Sequence, residues 1–331
     1  MLKMDKYFGT DVKHIITSIK AELNAKGKTL RAVYWVACGG SEYSVNAGKY
    51  IMQSEAKTIA TGRFNSNLFV HAAPALLDET CLVVVCTLKG TAETIEALKT
   101  ARNAGAYTIA LTGDETTPMA KEADVAIPYA GFGTMGDSTA LSVKIAAEVL
   151  NQFEGYDKYD RIMAVFAHLN DIVAKDRAYW LPQAKKFGEE FKDDKVFYIL
   201  GCGPLEGTAL SMANCHLIEM QTLHAAMIPS GDYFHGPFET TTKDLPMVLI
   251  MSNGRTRPLD QRVVNFMEKY AGRYVIIDAK ESELYKVADA DVAEFFEPVV
   301  LWSIERMHVE QLAEVRNHSM DFRNYMWKFE Y

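Results

Sequence analysis

Residues 31–41 read RAVYWVACGGS. The first seven, Arg31 to Ala37, form an apolar run with no polar alternation, the pattern of a strand covered on both faces. The small residues Cys38-Gly39-Gly40-Ser41 end it in a tight turn, and a helix follows from about Glu42 to Glu55. Upstream, residues 11–27 carry the spacing of an amphipathic helix. Downstream come a strand at Cys81 to Cys86, a loop at Thr87 to Gly90, a helix from about Ala92 to Ala104, and a third strand at Tyr107 to Leu111. Gly105 is placed to stop the second helix, because glycine takes a positive φ at little cost. Short buried strands alternating with helices predict an α/β fold with a parallel sheet.

The pattern recurs. Val196 to Leu200 (VFYIL) runs into Gly201-Cys202-Gly203-Pro204, a helix follows from about Glu206 to His224, and Met247 to Met251 and Tyr274 to Ile277 supply further strands. Val33 and Val196 stand 163 positions apart, and the following strands keep similar offsets. Two copies of one α/β unit account for this. The expected domains are residues 1–160, with the N-terminal helix, and 175–331, with the C-terminal tail. The helical stretch 140–190 would connect them, with a surface boundary near Gly155.

At 331 residues each copy is large enough to bury a core of its own. A net charge of −8 argues against a broad nucleic-acid footprint but leaves room for a local phosphate site. No apolar run is long enough to cross a bilayer, and Met1 to Thr10 has no apolar signal core. Five cysteines with no C-x-x-C spacing read as reduced packing residues, so a cytoplasmic location is expected.

Each copy places small residues between a strand and a helix, where backbone N–H groups and the helix dipole can hold an anion. In the first, Gly40 permits close approach and Ser41 adds a hydroxyl; Thr87-Leu88-Lys89-Gly90-Thr91 adds two hydroxyls, a glycine and a cation. Two such loops at adjacent strand ends would converge on one phosphate; the plain alternative is a pair of ordinary βα turns. Gly201-x-Gly203-x-x-x-Gly207 is only a loosened dinucleotide fingerprint, since the acidic residue near the right spacing, Glu219, falls in a helix rather than at a strand end. Glu219 is the more informative residue. Met212, Cys215 and Leu223 would share its helical row, and burial there would raise its pKa and suit it to proton exchange; otherwise it is a buried carboxylate bonded to backbone or to His216. The segment Ser230-Gly231-Asp232-Tyr233-Phe234-His235-Gly236-Pro237 is neither helix nor strand in pattern and can present His235 to a ligand or a neighbouring subunit. Cys215, His216, His224 and His235 lack a recognised metal-ligand spacing.

Taken together, Val36-Ala37-Cys38-Gly39-Gly40-Ser41, the Gly90-Thr91 loop and Ser230 to Pro237 resemble the SIS (sugar isomerase) family. Within it the chain is most similar to bacterial deglycases of 6-phosphorylated fructosamines, and the ending Arg323-Asn324-Tyr325-Met326-Trp327-Lys328-Phe329-Glu330-Tyr331 is similar to that subfamily's tail. The resemblance covers nearly the whole chain. It implies two SIS domains, each a five-stranded parallel sheet flanked by helices. It implies that Glu219 and His235, 16 residues apart as in the family, form the catalytic pair. It implies a homodimer or higher homo-oligomer in which the histidine reaches the neighbouring subunit's site.

The implied phosphate ligands are Gly40, Ser41, Thr87, Lys89, Gly90 and Thr91, with Ser138 beside them. The family's phosphate loop begins with serine; here Thr87 stands in its place and the loop is one residue shorter. Lys328 does not clearly match the C-terminal lysine of the glucosamine-6-phosphate synthases, and the chain opens directly on the first α/β unit, without their glutaminase domain. The implied substrate is a phosphorylated sugar-amine, cleaved to glucose 6-phosphate and an amino acid without metal or organic cofactor. A sugar-phosphate isomerase, a glucosamine-type deglycase releasing fructose 6-phosphate, a non-catalytic sugar-phosphate sensor and a nicotinamide enzyme are the alternatives.

Overall fold

The computed structural model describes residues 7–129 and 136–329; the segment 130–135 and the last two residues of the tail motif, Glu330 and Tyr331, lie outside them. The chain divides into two compact units, Met1–Phe166 and Ala167–Tyr331.

In the first unit six parallel strands run β1 (Tyr7–Phe8), β2 (Ala32–Ala37), β3 (Ala60–Asn65), β4 (Cys81–Thr87), β5 (Tyr107–Thr112) and β6 (Val125–Pro128) along the chain. In the sheet their order is β1-β6-β5-β4-β2-β3. The apolar runs sit at its centre: every residue of β2, β4 and β5 is buried, as strands with helices on both faces must be. The amphipathic helix is Val12–Ala25; Asp11 caps it by accepting from the His14 N–H at 3.0 Å, and Val12, Ile15, Ile16, Ile19 and Leu23 form its buried stripe. The helix after β2 starts at Gly39, earlier than expected, and bends at Val45 between Gly39–Ser44 and Asn46–Glu55. The helix Ala92–Asn103 does end at Gly105, which has φ +85°.

The second unit holds four parallel strands among the described residues: β7 (Val196–Gly201), β8 (His224–Pro229), β9 (Pro246–Met251) and β10 (Arg273–Asp278), in the order β10-β9-β7-β8. Two five-stranded sheets were expected; the first has its five, and the count of the second needs correcting to four among the described residues. The first sheet gains a two-residue edge strand. The second lacks a strand after β10, because only short apolar pieces remain there among acidic residues, and they coil as the one-turn helices Leu284–Val287 and Ala290–Ala293. The core on one face of this sheet is built from Phe187, Phe191, Phe197, Ile199, Leu301, Ile304 and Leu312. It brings helix Leu169–Phe191 against helix Glu297–Arg316 so closely that a Cβ on Gly188 would lie 2.7 Å from the Gln311 carbonyl.

The expected helix from Glu206 to His224 needs revision too. It is α-helical only over Glu206–Leu210, turns π-helical over Ser211–Met220, and ends before His224, the first residue of β8. Wide turns of this kind often accompany functional sites.

Candidate functional site

In both units the order of the shared strands reverses direction between the first strand and the third, β2 and β4 in one, β7 and β9 in the other. Ligands of open parallel sheets collect outside the carboxyl ends at such a reversal.

At the first reversal Ala37 and Cys86 are paired in register, so the turn Cys38–Ser41 and the loop Thr87–Thr91 leave the sheet side by side. Cys38 is extended, Gly39 takes φ +55°, and the helix starts there, where the amides of a first turn have no intrahelical acceptor. The Ser41 hydroxyl reaches both Cys86 and Tyr129; burial pushes the Cys86 thiol up to about 11 and the Tyr129 phenol upward as well. In the loop, Thr87 is buried and its Oγ1 accepts from the Gly90 and Thr91 N–H groups at 3.2 and 3.3 Å. Gly90 has φ +89°, Lys89 and Thr91 are exposed, and the Leu88 carbonyl accepts from the Gly113 N–H at 3.0 Å. Ser138 is buried near the start of helix Gly136–Glu154. The fold thus brings Gly40, Ser41 and the Thr87–Thr91 loop to one sheet edge, with Thr87 turned into its own loop.

The second reversal has a loop of matching chemistry, Ser252-Asn253-Gly254-Arg255-Thr256, before helix Arg257–Tyr270. Here the chain's own carboxylates take the donors. Glu297 accepts from the Asn253 N–H at 2.7 Å, from the Ser252 hydroxyl at 2.6 Å and from the Tyr285 hydroxyl. Glu294 accepts from the Arg255 N–H at 3.1 Å and from its guanidinium at 2.6 and 2.9 Å. Asp260 accepts from the Ser252 N–H at 3.0 Å, the Ser230 hydroxyl at 2.5 Å and the Cys202 thiol at 3.3 Å. Burial drives the carboxyls of Glu297, to about 8, and of Asp260 upward. The sequence reading missed all three carboxylates.

The Ser230–Pro237 segment is a braced turn. Ser230 is tied to Asp260, Tyr233 is buried with its hydroxyl on Thr241, and Gly236 takes φ +128°. Those residues hold the turn's shape and leave His235 exposed.

Glu219 lies at the end of the π-helical turn. The full burial expected for it is not reached: its side chain is 25% exposed, and Oε1 lies 2.7 Å from Nε of Arg323 in the tail. A cleft of about 340 Å³ opens beside it, lined by Ile218, Glu219, Thr222 and the tail residues Arg323–Met326. Thr222 is left-handed, φ +54°, an uncommon conformation for a β-branched residue. Beneath, His216 and Glu305 form a fully buried pair at 2.8 Å, with Trp302 tilted against the His216 ring. Arg323 and the His216–Glu305 pair were also missed.

Glu219 precedes β8 and His235 follows it. Six residues of strand span about 20 Å, so the segments that carry Glu219 and His235 join β8 at its opposite ends. Among the described residues no cluster of three His, Cys, Asp or Glu side chains is placed to hold a metal, and no helix is long and apolar enough to cross a membrane.

A doubly repeated parallel α/β unit with hydroxyl- and glycine-bearing loops at each reversal defines a class, and the SIS domain family matches residues 30–130 and 190–300. The chain belongs to the SIS-domain family. It is 34% identical over 310 residues to the fructosamine deglycase FrlB of Bacillus subtilis, covering 92% of this chain and 94% of that one. It is 22% identical to a fructoselysine 6-phosphate deglycase of Escherichia coli O157:H7, over 98% of this chain and 92% of that one. The crystal structure of a candidate phosphosugar isomerase from Salmonella typhimurium LT2 superposes with a TM-score of 0.90 at 37% identity, covering 97% and 98% of the two chains. The chain is thus a fructosamine-deglycase homologue built from two SIS domains.

Proposed function

We propose that the protein cleaves a 6-phosphofructosyl-amino acid to glucose 6-phosphate and the free amino acid. The observation that carries this reading is the end-to-end similarity to the fructosamine deglycase of Bacillus subtilis. His235 assists opening of the sugar ring. Glu219 takes the proton from C1 of the open-chain ketosamine, giving an enaminol, and returns a proton to C2, giving a Schiff base that water hydrolyses. One carboxylate can serve both transfers. The first unit's loops, at Gly40, Ser41, Lys89, Gly90 and Thr91, anchor the phosphate and supply binding energy away from the reacting carbons. Because β8 separates Glu219 from His235 in one chain, a second copy supplies the histidine, and the working unit is a homo-oligomer.

The test is incubation with fructoselysine, fructoseasparagine and glucoselysine 6-phosphates, with both products identified. Glucose 6-phosphate from a fructosyl substrate supports the reading; fructose 6-phosphate from the glucosyl compound alone overturns it. Glu219→Gln keeps the shape but removes the base, and turnover should fall by roughly 10²-fold or more. Once subunit exchange is verified, mixing Glu219→Gln with His235→Ala should restore part of the activity through hybrid sites carrying both native residues.

A further inference from the structure

The cleft beside Glu219 contains one cation from outside the π-helical turn, Arg323, and the tail is built to hold it in place. Helix Glu297–Arg316 ends on left-handed Asn317, and the chain turns back toward the end of the π-helical turn. Gln221, fully buried two residues after Glu219, donates from Nε2 to the His318 carbonyl at 3.0 Å and to the Met320 sulfur at 3.4 Å. Arg323 then enters with only 9% of its surface exposed. Its Nη1 donates to the Met320 and Phe322 carbonyls at 3.0 and 2.7 Å, and its guanidinium lies 5.4 Å from the centre of the Trp327 ring. With the guanidinium fixed on that side, Nε lies 2.7 Å from Oε1 of Glu219, an ion-pair contact whose N–H is not aligned as a hydrogen bond. Among the described residues the other oxygen, Oε2, meets no donor.

A partly exposed glutamate at the end of a wide helical turn would otherwise sample several rotamers. Proton transfer to and from carbon needs one geometry, and a small misplacement is expensive in rate. Among the described residues Glu219 is the carboxylate paired with this guanidinium, and a nearly buried cation is not left without a counter-charge at no cost.

We propose that Arg323 is the positioning residue for Glu219: it fixes Oε1 from the C-terminal tail and leaves Oε2 to carry the reacting proton. The inference rests on Glu219 being the proton carrier. It is distinct from the plainer role of fastening the tail, which would act on stability and leave turnover alone.

The experiment uses the full-length protein with fructoselysine 6-phosphate. Arg323→Ala should lower kcat by about 10²-fold, with KM changed less than threefold and the melting temperature shifted by only a few degrees. Arg323→Lys keeps the charge but not the fork, and should fall between wild type and Arg323→Ala. Low-millimolar methylguanidinium should restore part of the Arg323→Ala turnover and leave wild type unchanged. Arg323→Ala combined with Glu219→Gln should be no slower than Glu219→Gln alone, because both act on one step.

A kcat for Arg323→Ala near wild type overturns the proposal. So does a loss that follows the melting temperature and resists methylguanidinium, or failure of both Arg323→Ala and Arg323→Lys to fold, since each shows a fastening role. The two readings fail separately. If Glu219→Gln is inactive while Arg323→Ala is active, only the positioning role falls; if Glu219→Gln is active, the proposed function falls first.

Discussion

Replacing Glu297 by glutamine should change how the second unit's stability depends on pH. The Glu297 side chain is fully buried between the Ser252–Thr256 loop and Tyr285, and burial drives its carboxyl from an ordinary 4.5 to about 8, reinforced by the neighbouring Glu294 carboxylate. Below pH ~4.5 both folded and unfolded chains carry the proton. Between there and about 8 only the folded chain does, and above 8 neither does. Stability from this group is therefore greatest at low pH and is lost as pH rises through the folded value. Each unit of difference corresponds to about 1.4 kcal/mol, so the ceiling on the change is roughly 5 kcal/mol. Glutamine is neutral throughout. Its amide oxygen can accept from Asn253 and Tyr285, and its amide nitrogen can donate to the Ser252 hydroxyl. The assay is urea unfolding of wild type and Glu297→Gln at matched pH from 5 to 9. Trp180, Trp302 and Trp327, three of the four tryptophans, lie in the second unit, so fluorescence reports mainly on it. Relative to the variant, wild type should lose several kcal/mol between pH 5 and 8 and then level off. A flat difference, or one that grows in favour of wild type as pH rises, would refute the assignment.

Two further outcomes are expected. Ser41→Ala and Thr91→Val should each raise KM about tenfold with kcat within a factor of two, the scale of one hydrogen bond to a charged group, and should weaken inhibition by inorganic phosphate in parallel. Glu305→Ala strands buried His216 without its hydrogen-bond partner and should cost about 1–3 kcal/mol in denaturant unfolding, the usual penalty for leaving a buried polar group unsatisfied.

The central strands were legible because burial on both faces writes an uninterrupted apolar run, as in Ala32–Ala37 and Pro246–Met251. The edges were not. β3 reads ATGRFN and has no fully buried residue, so it carries no hydrophobic signature. β8 reads HAAMIP, half exposed, and its first residue was absorbed into the preceding helix. With β8 unread, the sharing of Glu219 and His235 between subunits was implied by the family resemblance alone and not by the strand between them. The π-helical turn leaves no periodic trace over ten residues. Arg323 was invisible as a partner of Glu219 because the pairing depends on where helix Glu297–Arg316 ends and how the tail returns, neither of which is a local property.

The two loops at the strand-order reversals show why equal sequence chemistry need not give equal sites. Thr87–Thr91 and Ser252–Thr256 each offer hydroxyls, a glycine and a cation ahead of a helix. In the second, the Asn253 and Arg255 amides and the Arg255 guanidinium bind ionisable carboxyl groups at 2.6–3.1 Å. A sugar phosphate would have to displace acceptors that are covalently tethered to the site and that, at Glu294, already hold the Arg255 guanidinium. In the first, the Gly90 and Thr91 amides are satisfied by the neutral Thr87 hydroxyl at 3.2 and 3.3 Å. Those bonds are at or beyond the long end of the normal range, and an anion making charge-assisted bonds can exceed them. The carboxyl groups that close the second loop come from Glu294 and Glu297, about forty residues further along the chain, so the difference lies in tertiary structure rather than in either loop. This asymmetry favours one phosphate per chain, held by the first unit.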